Sequence, residues 1–239
     1  MILLKDKDDP RRRMLLQALA AGVLGFGLPA RRGEAQIFGK VPKELPPGRS
    51  IYELAGDVRV NGARATATTI IGSNDTVETG SDGRVVFVVG KDSFLMRANS
   101  KMALKGQQSL VDSILLLGGK LLSVFGRSRH QLRTPTAIVG IRGTGVYTEA
   151  DPKETYFCTC YGVTDISSAS DPASRETVSA KHHDKPVYIV AGAAAGNAVR
   201  AAPFKNHTDE ELMILEAIVG RTVPFAFSSE DYKAPRREY

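Results

Sequence analysis

Residues 84–96 read RVVFVVGKDSFLM, and they predict two β-strands joined by a tight turn. The first six residues are almost continuously apolar, which is typical of a strand that is buried on both faces. Residues 90–92 open with glycine and favour a turn. Beyond the turn, Phe94 and Met96 share one side of a strand and Leu95 lies on the other, because successive strand side chains point to opposite faces.

The same pattern of short apolar runs between turn signals extends over residues 51–190. Turn signals recur every 8 to 12 residues, among them the Asn61-Gly62 pair, residues 80–83, the Gly118-Gly119 pair and Gly162. Many short strands at this spacing are typical of a sandwich, a barrel or a β-solenoid. We therefore expect a mainly β fold of short strands, either a β-sandwich or a β-solenoid-like domain.

Helical periodicity is convincing near the C-terminus, where one helix is expected over residues 209–219. Thr208 and Glu211 have the spacing of a capping box, and Gly220 stands where a helix commonly ends. The sequence thus divides into residues 1–35, a Pro- and Gly-rich linker over 36–50, a β-domain over 51–200, and a helical segment with a polar tail over 201–239.

The N-terminal residues 1–35 have the pattern of an export signal. Arg11, Arg12 and Arg13 precede an uncharged, mostly apolar run that ends at Leu28, which is too short to span a bilayer as a helix. The pattern is that of a twin-arginine signal, although Pro10 stands where that pathway usually has Ser or Thr. An ordinary secretory signal, an uncleaved anchor and a buried helix of a cytosolic protein are the alternatives. The twin-arginine interpretation predicts cleavage after Ala35 and a periplasmic location.

The charge of the chain argues against a nucleic-acid partner. The whole chain carries a formal charge of +6, and residues 1–35 hold seven basic and four acidic residues, which leaves +3 for the remainder. No basic stripe is evident in that remainder, so nucleic acid is not an expected partner. Contact with a membrane is expected only through an uncleaved signal.

Residues 134–144, TPTAIVGIRGT, resemble the most specific motif of the FecR domain, a periplasmic domain of iron-dicitrate sensors. Residues 55–62, 75–87 and 91–97 resemble earlier strands of that domain, in the same order along the chain. The motif residues are Thr134, Pro135, Ala137, Arg142, Gly143 and Thr144. Pro135 suits the start or edge of a strand because it cannot donate to a ladder, and Gly143 suits a bulge or turn.

The FecR resemblance implies a domain that contacts other proteins, and it implies no catalytic residues. We do not expect the family's sigma-regulating activity to carry over, because about ten residues precede Arg11, fewer than the family's anti-sigma segment has. We therefore expect an exported, non-enzymatic module that senses, scaffolds or binds a protein partner in the cell envelope. The chain also lacks the Gly-x-Ser-x-Gly, phosphate-loop and His-Glu-x-x-His signatures.

Cys158 and Cys160 are the residues most suited to chemistry, together with His182 and His183 about twenty residues later. Alternation along a strand places both thiols on one face, about 6.5 to 7 Å apart. If the following strand returns the imidazoles, these four residues could bind zinc or iron. A strained disulfide and an inert buried pair remain alternatives. His207 fits the start of the helix, and no cofactor is certain from sequence.

Overall fold

The structure, a computed structural model, describes residues 42–225. Within that range it is mainly β with one α-helix, which confirms the expected fold class. The predicted signal with Arg11 to Arg13, the first part of the linker and the tail beyond residue 225 lie outside the described residues. The strands are β1 Ile51–Ala55, β2 Val58–Val60, β3 Ala63–Arg64, β4 Thr76–Thr79, β5 Arg84–Val89, β6 Asp92–Met96, β7 Ser100–Gln107, β8 Leu110–Val124, β9 Arg129–Arg133, β10 Ala137–Ala150, β11 Glu154–Ser168, β12 Arg175–Ala180, β13 Val187–Val190 and β14 Val199–Ala201, and the helix is α1, Asp209–Ala217.

All fourteen strands belong to one continuous hydrogen-bonded network that does not close on itself. Its longest path runs β14-β13-β11-β10-β9-β8-β7-β4-β2-β3, with β1, β5, β6 and β12 attached to its sides. The pairs are antiparallel except for β8 and β9, which run parallel. The hairpin expected from residues 84–96 is present, because β5 and β6 pair with Val85 opposite Met96.

Three strands are much longer than the sequence led us to expect, namely β8, β10 and β11, with 14 or 15 residues each. Gly119 and Gly162, which we interpreted as turn residues, lie inside β8 and β11 with φ of +94° and +90°. A Cβ at either position would come within 2.2 Å of a neighbouring side chain, Ser100 or Thr144. These glycines bend a continuing strand where the chain packs closely, and so the turn prediction was wrong there.

The buried side chains form two separate clusters on opposite faces of the strands. The main core takes residues from almost every strand, including Val77, Phe87, Phe94 and Phe157. The second cluster lies on the other face and includes Val86, Leu95, Leu122, Val124, Tyr147, Tyr156, Cys158, Cys160, Leu212 and Leu215. The predicted alternation of Phe94 and Met96 against Leu95 is thereby confirmed.

The helix α1 covers part of the second cluster. Its start is fixed by the expected capping box: Thr208 Oγ1 accepts from the Glu211 N–H, and the Glu211 carboxylate accepts from the Thr208 N–H. At its end Gly220 has φ of +71°, while the N–H groups of Gly220 and Arg221 donate to the carbonyls of Ala217 and Glu216. This pair of bonds is a Schellman motif. Among residues 42–225, no helix has the length and apolar character to cross a membrane.

Candidate metal centre

Cys158 and Cys160 lie in the middle of β11, in the second apolar cluster, and both are fully buried. The pairing of β11 with β10 shifts at this point: Gly145 faces Tyr161, and Val146 faces Thr159, so that Cys160 is the extra residue of a bulge. Both cysteines are free thiols on one face of the strand, as the alternation predicted.

His183 reaches the thiols from the turn between β12 and β13. Its N–H donates to the carbonyl of Cys160 at 2.9 Å, which ties the turn to β11 beside the bulge. Its backbone has a φ of +52°, in the left-handed region. This conformation places the imidazole Nδ1 3.5 Å from the Cys158 sulfur.

His207 supplies a fourth group from the segment that leads into α1. Its Nε2 lies 3.3 Å from the Cys160 sulfur and 3.1 Å from His183 Nδ1. The imidazole stacks on Tyr147 with ring centres 4.5 Å apart, which fixes its plane. One potential ligand atom from each of Cys158, Cys160, His183 and His207 falls within 4.8 Å of the other three.

Three of the four residues selected from sequence, Cys158, Cys160 and His183, therefore lie together, and the fourth member of the cluster differs from the prediction. His182 does not join the four converging atoms; its Nε2 lies 2.9 Å from Asp209 Oδ1, at the edge of the site. His207, which sequence reasoning assigned to the helix start, takes that place. The available signal was weak: a histidine beside the N-cap of a helix, in a chain that has four histidines in all.

The outer nitrogens of both converging histidines contact groups that only accept hydrogen bonds. His183 Nε2 lies 3.0 Å from a carboxylate oxygen of Asp209, and His207 Nδ1 lies 2.8 Å from the carbonyl of Lys205. Burial tends to raise the pKa of Asp209, but hydrogen bonds from His183 and His182 hold it below its usual value, so it is ionised. Both outer nitrogens therefore carry the protons, and in the neutral imidazoles the inner nitrogens are bare.

With both imidazoles neutral, two bare nitrogens would lie 3.1 Å apart beside two sulfur atoms, an arrangement that attracts a cation. A second proton on His183 satisfies part of this attraction. Burial alone lowers the pKa of His183, but hydrogen bonds to Asp209 and Cys158 outweigh it and raise the pKa to about 9. The hydrogen bond from Cys160, supported by His183 and His207 against burial, lowers the pKa of Cys158 to about 4. Burial and the neighbouring Cys158 raise the pKa of Cys160, so the thiol pair holds one negative charge.

The spacing of the four atoms suits a tetrahedral metal ion. Zinc binds thiolate sulfur at about 2.3 Å and imidazole nitrogen at about 2.0–2.1 Å, which puts neighbouring ligand atoms roughly 3.3 to 3.8 Å apart in a tetrahedron. The closest nitrogen–nitrogen and sulfur–nitrogen separations here are 3.1, 3.3 and 3.5 Å. Hydrogen bonds to a carboxylate and a carbonyl commonly orient histidine ligands in such centres.

The FecR-like motif residues lie elsewhere and have structural surroundings. The Thr134 and Thr136 hydroxyls contact the buried hydroxyl of Thr155, while Pro135 precedes β10 in the hairpin from β9. Arg142 pairs with Asp165 on the exposed face at 2.7 Å. Gly143, with φ of +56°, sits at a break in the β10–β11 register, the bulge that its sequence context suggested. Ala137 and Thr144 are fully buried in β10.

Comparisons with known proteins add little to this picture. No family model matches the chain, so the FecR resemblance rests on the motifs quoted above. No curated protein matches it either. Similar solved structures include two crystal structures, at 1.65 and 2.50 Å resolution, of a candidate anti-sigma factor from Parabacteroides distasonis. Each has a TM-score of 0.41 and 9% identity, over 53% of this chain and 57% of the other. The chain thus spans little more than half the length of these structures.

Proposed function

We propose that this chain is a non-enzymatic module of the cell envelope, built around a structural zinc centre that consists of Cys158, Cys160, His183 and His207. The convergence of these four ligand atoms, on side chains that are almost wholly buried, carries the proposal. All four positions of a tetrahedron would be filled by the protein, as in structural zinc sites, whereas catalytic zinc keeps an open position for water or substrate. Two thiolates and two imidazoles also suit iron, but the closed tetrahedral set favours zinc.

Metal analysis of the purified full-length or exported protein tests the centre. We expect close to one zinc per chain, lost in Cys158→Ser/Cys160→Ser and in His207→Asn, because each change removes ligands from the buried set. His182→Asn is the matched control, since it alters a neighbouring imidazole that lies outside the four. It should keep the metal.

Three results would contradict the centre. The first is wild-type protein without metal whose thiols are both freely alkylated. The second is a mass two daltons low, which would indicate a disulfide between the cysteines. The third is the reverse pattern among the variants, with zinc lost in His182→Asn and kept in His207→Asn, which would restore the ligand set expected from sequence.

The role of the module is to bind or sense a protein partner in the periplasm. Its FecR-like motifs support this role, since FecR domains contact other proteins, and a closed metal centre supports a non-enzymatic one. The modest charge of the chain without residues 1–35 does not favour nucleic acid. Membrane contact is proposed only through an uncleaved signal.

Export through the twin-arginine route is tested by replacing Arg11, Arg12 and Arg13 with lysine. That route depends on the arginine pair, so the triple variant should remain in the cytoplasm as full-length precursor. Fractionation of cells that express either form provides the measurement. Mature triple variant in the periplasm would exclude the twin-arginine route and favour an ordinary secretory signal.

A further inference from the structure

The four converging residues come from two parts of the molecule, the sheet and the C-terminal segment. Cys158 and Cys160 belong to β11, and His183 belongs to the turn that is bonded to it. His207 belongs instead to the C-terminal segment, residues 202–225, which leaves the sheet after β14 and contains α1. An ion bound by all four would therefore cross-link the sheet to this segment at the point where the segment begins its helix.

The C-terminal segment cannot keep its shape by itself. Its helix has nine residues, and isolated helices shorter than about 12–15 residues are marginal in water. Its order must come from docking, through Leu212, Leu215, Ile218 and Val219 in the second cluster. Polar contacts add to this: Ser93 Oγ donates to the Leu215 carbonyl at 2.7 Å, and Arg97 Nη2 donates to both oxygens of Glu211 at 2.9 Å.

The main core does not depend on this docking. It is a separate cluster, formed mainly by strand residues on the other face, and it contains no residue of α1. Loss of the segment would uncover Leu95, Leu122 and Tyr147 on the second face and leave the first face packed. Such a division allows one part of a protein to open while the rest stays folded.

Without an ion, the segment lacks the metal–ligand bonds that would tie it to β11 and to the turn after β12. Side-chain packing then holds His207, which stacks on Tyr147 and lies 3.1 Å from His183 Nδ1. Undocking the segment would carry His207 away from both residues. Asp209, the first residue of α1, would lose its contacts with His182 and His183 in the same movement.

We infer that the metal centre is a latch: metal binding holds the C-terminal segment on the sheet, and metal loss releases it and exposes an apolar face. This inference rests on the proposed zinc centre and adds its regulation. It makes the module a metal-responsive switch, in which the C-terminal segment covers the second face when the ion is bound and exposes it when the ion is absent.

Hydrogen–deuterium exchange, with metal content measured in the same samples, tests the latch. Zinc-loaded protein should protect the amides of α1, and treatment with a chelator should abolish that protection. The amides of β5, β7 and the first half of β8, whose buried side chains lie in the main core, should stay protected. If chelation removes the zinc and α1 keeps its protection, or if the whole chain loses protection together, the centre is real and the latch is refuted. If the protein never holds zinc, the proposed function and the latch both fail.

Coupling between two sites is reciprocal, so weakened docking must weaken zinc binding if the latch exists. Leu215→Ala removes apolar packing from α1 without touching a ligand, and we expect it to lower zinc affinity about tenfold. Leu104→Ala removes the same side chain from the main core and should leave zinc affinity unchanged. Equal affinities in these two variants would overturn the inference.

A pair of less disruptive variants provides the same test if Leu215→Ala does not fold. Arg97→Gln removes the pairing with Glu211 and a bond to the Asn206 carbonyl, next to His207. Arg84→Gln is its control, because Arg84 forms a comparable half-buried pair with Glu53 away from the segment. Only Arg97→Gln should reduce zinc affinity, by a few-fold; no difference between the two would refute the latch.

Discussion

At the scale of single residues, the carboxylate of Asp209 interacts both with the start of α1 and with two histidines. It is the first residue of α1, where a negative charge interacts favourably with the helix dipole. It also accepts hydrogen bonds from the Nε2 atoms of His182 and His183, although its side chain is almost wholly buried. By accepting a hydrogen bond from Nε2 of His183, it leaves Nδ1 facing the thiols, where a metal ion could bind it.

Asp209→Asn should therefore weaken zinc binding about 10- to 100-fold while the helix still forms, because an amide can donate to His183 and no longer fixes its tautomer. Competition titration with a chromophoric chelator gives the affinity. Glu210→Gln is the control for lost charge at the helix start, and Asp209→Glu should restore part of the affinity. Equal losses in Asp209→Asn and Glu210→Gln would show that Asp209 acts through the helix dipole alone.

At the scale of elements, local signals were enough for some predictions. The helix α1 was placed correctly because the Thr208–Glu211 box and Gly220 act within a few residues of one another. The common face of Cys158 and Cys160 followed from the alternation of strand side chains. The hairpin over residues 84–96 likewise depends on short-range pattern alone.

Other elements depend on contacts that a single sequence does not reveal. Gly119 and Gly162 have the local signature of turns, yet their role is to let long strands bend against Ser100 and Thr144. His183 reaches Cys158 because β12 pairs beside β11, a register that follows from the whole sheet. His207 lies 47 positions from Cys160, and only the docking of α1 brings the two side chains together.

At the scale of the whole molecule, two apolar clusters share one set of strands. The main core accounts for the stability of the sheet, and the second cluster joins the sheet to the C-terminal segment through packing and the candidate metal centre. The cluster of Cys158, Cys160, His183 and His207 thus lies where the two parts meet. With the proposed latch, metal content would set which apolar surface the protein exposes, as the proposed sensing role requires.

The coordination of the ion tests the central claim most directly. X-ray absorption at the zinc edge of the purified protein should show two sulfur neighbours at about 2.3 Å and two nitrogen neighbours at about 2.0–2.1 Å. His207→Asn should change or abolish that spectrum, and His182→Asn should leave it intact. A shell made only of oxygen and nitrogen atoms, or a protein that takes up no zinc at all, would contradict the account.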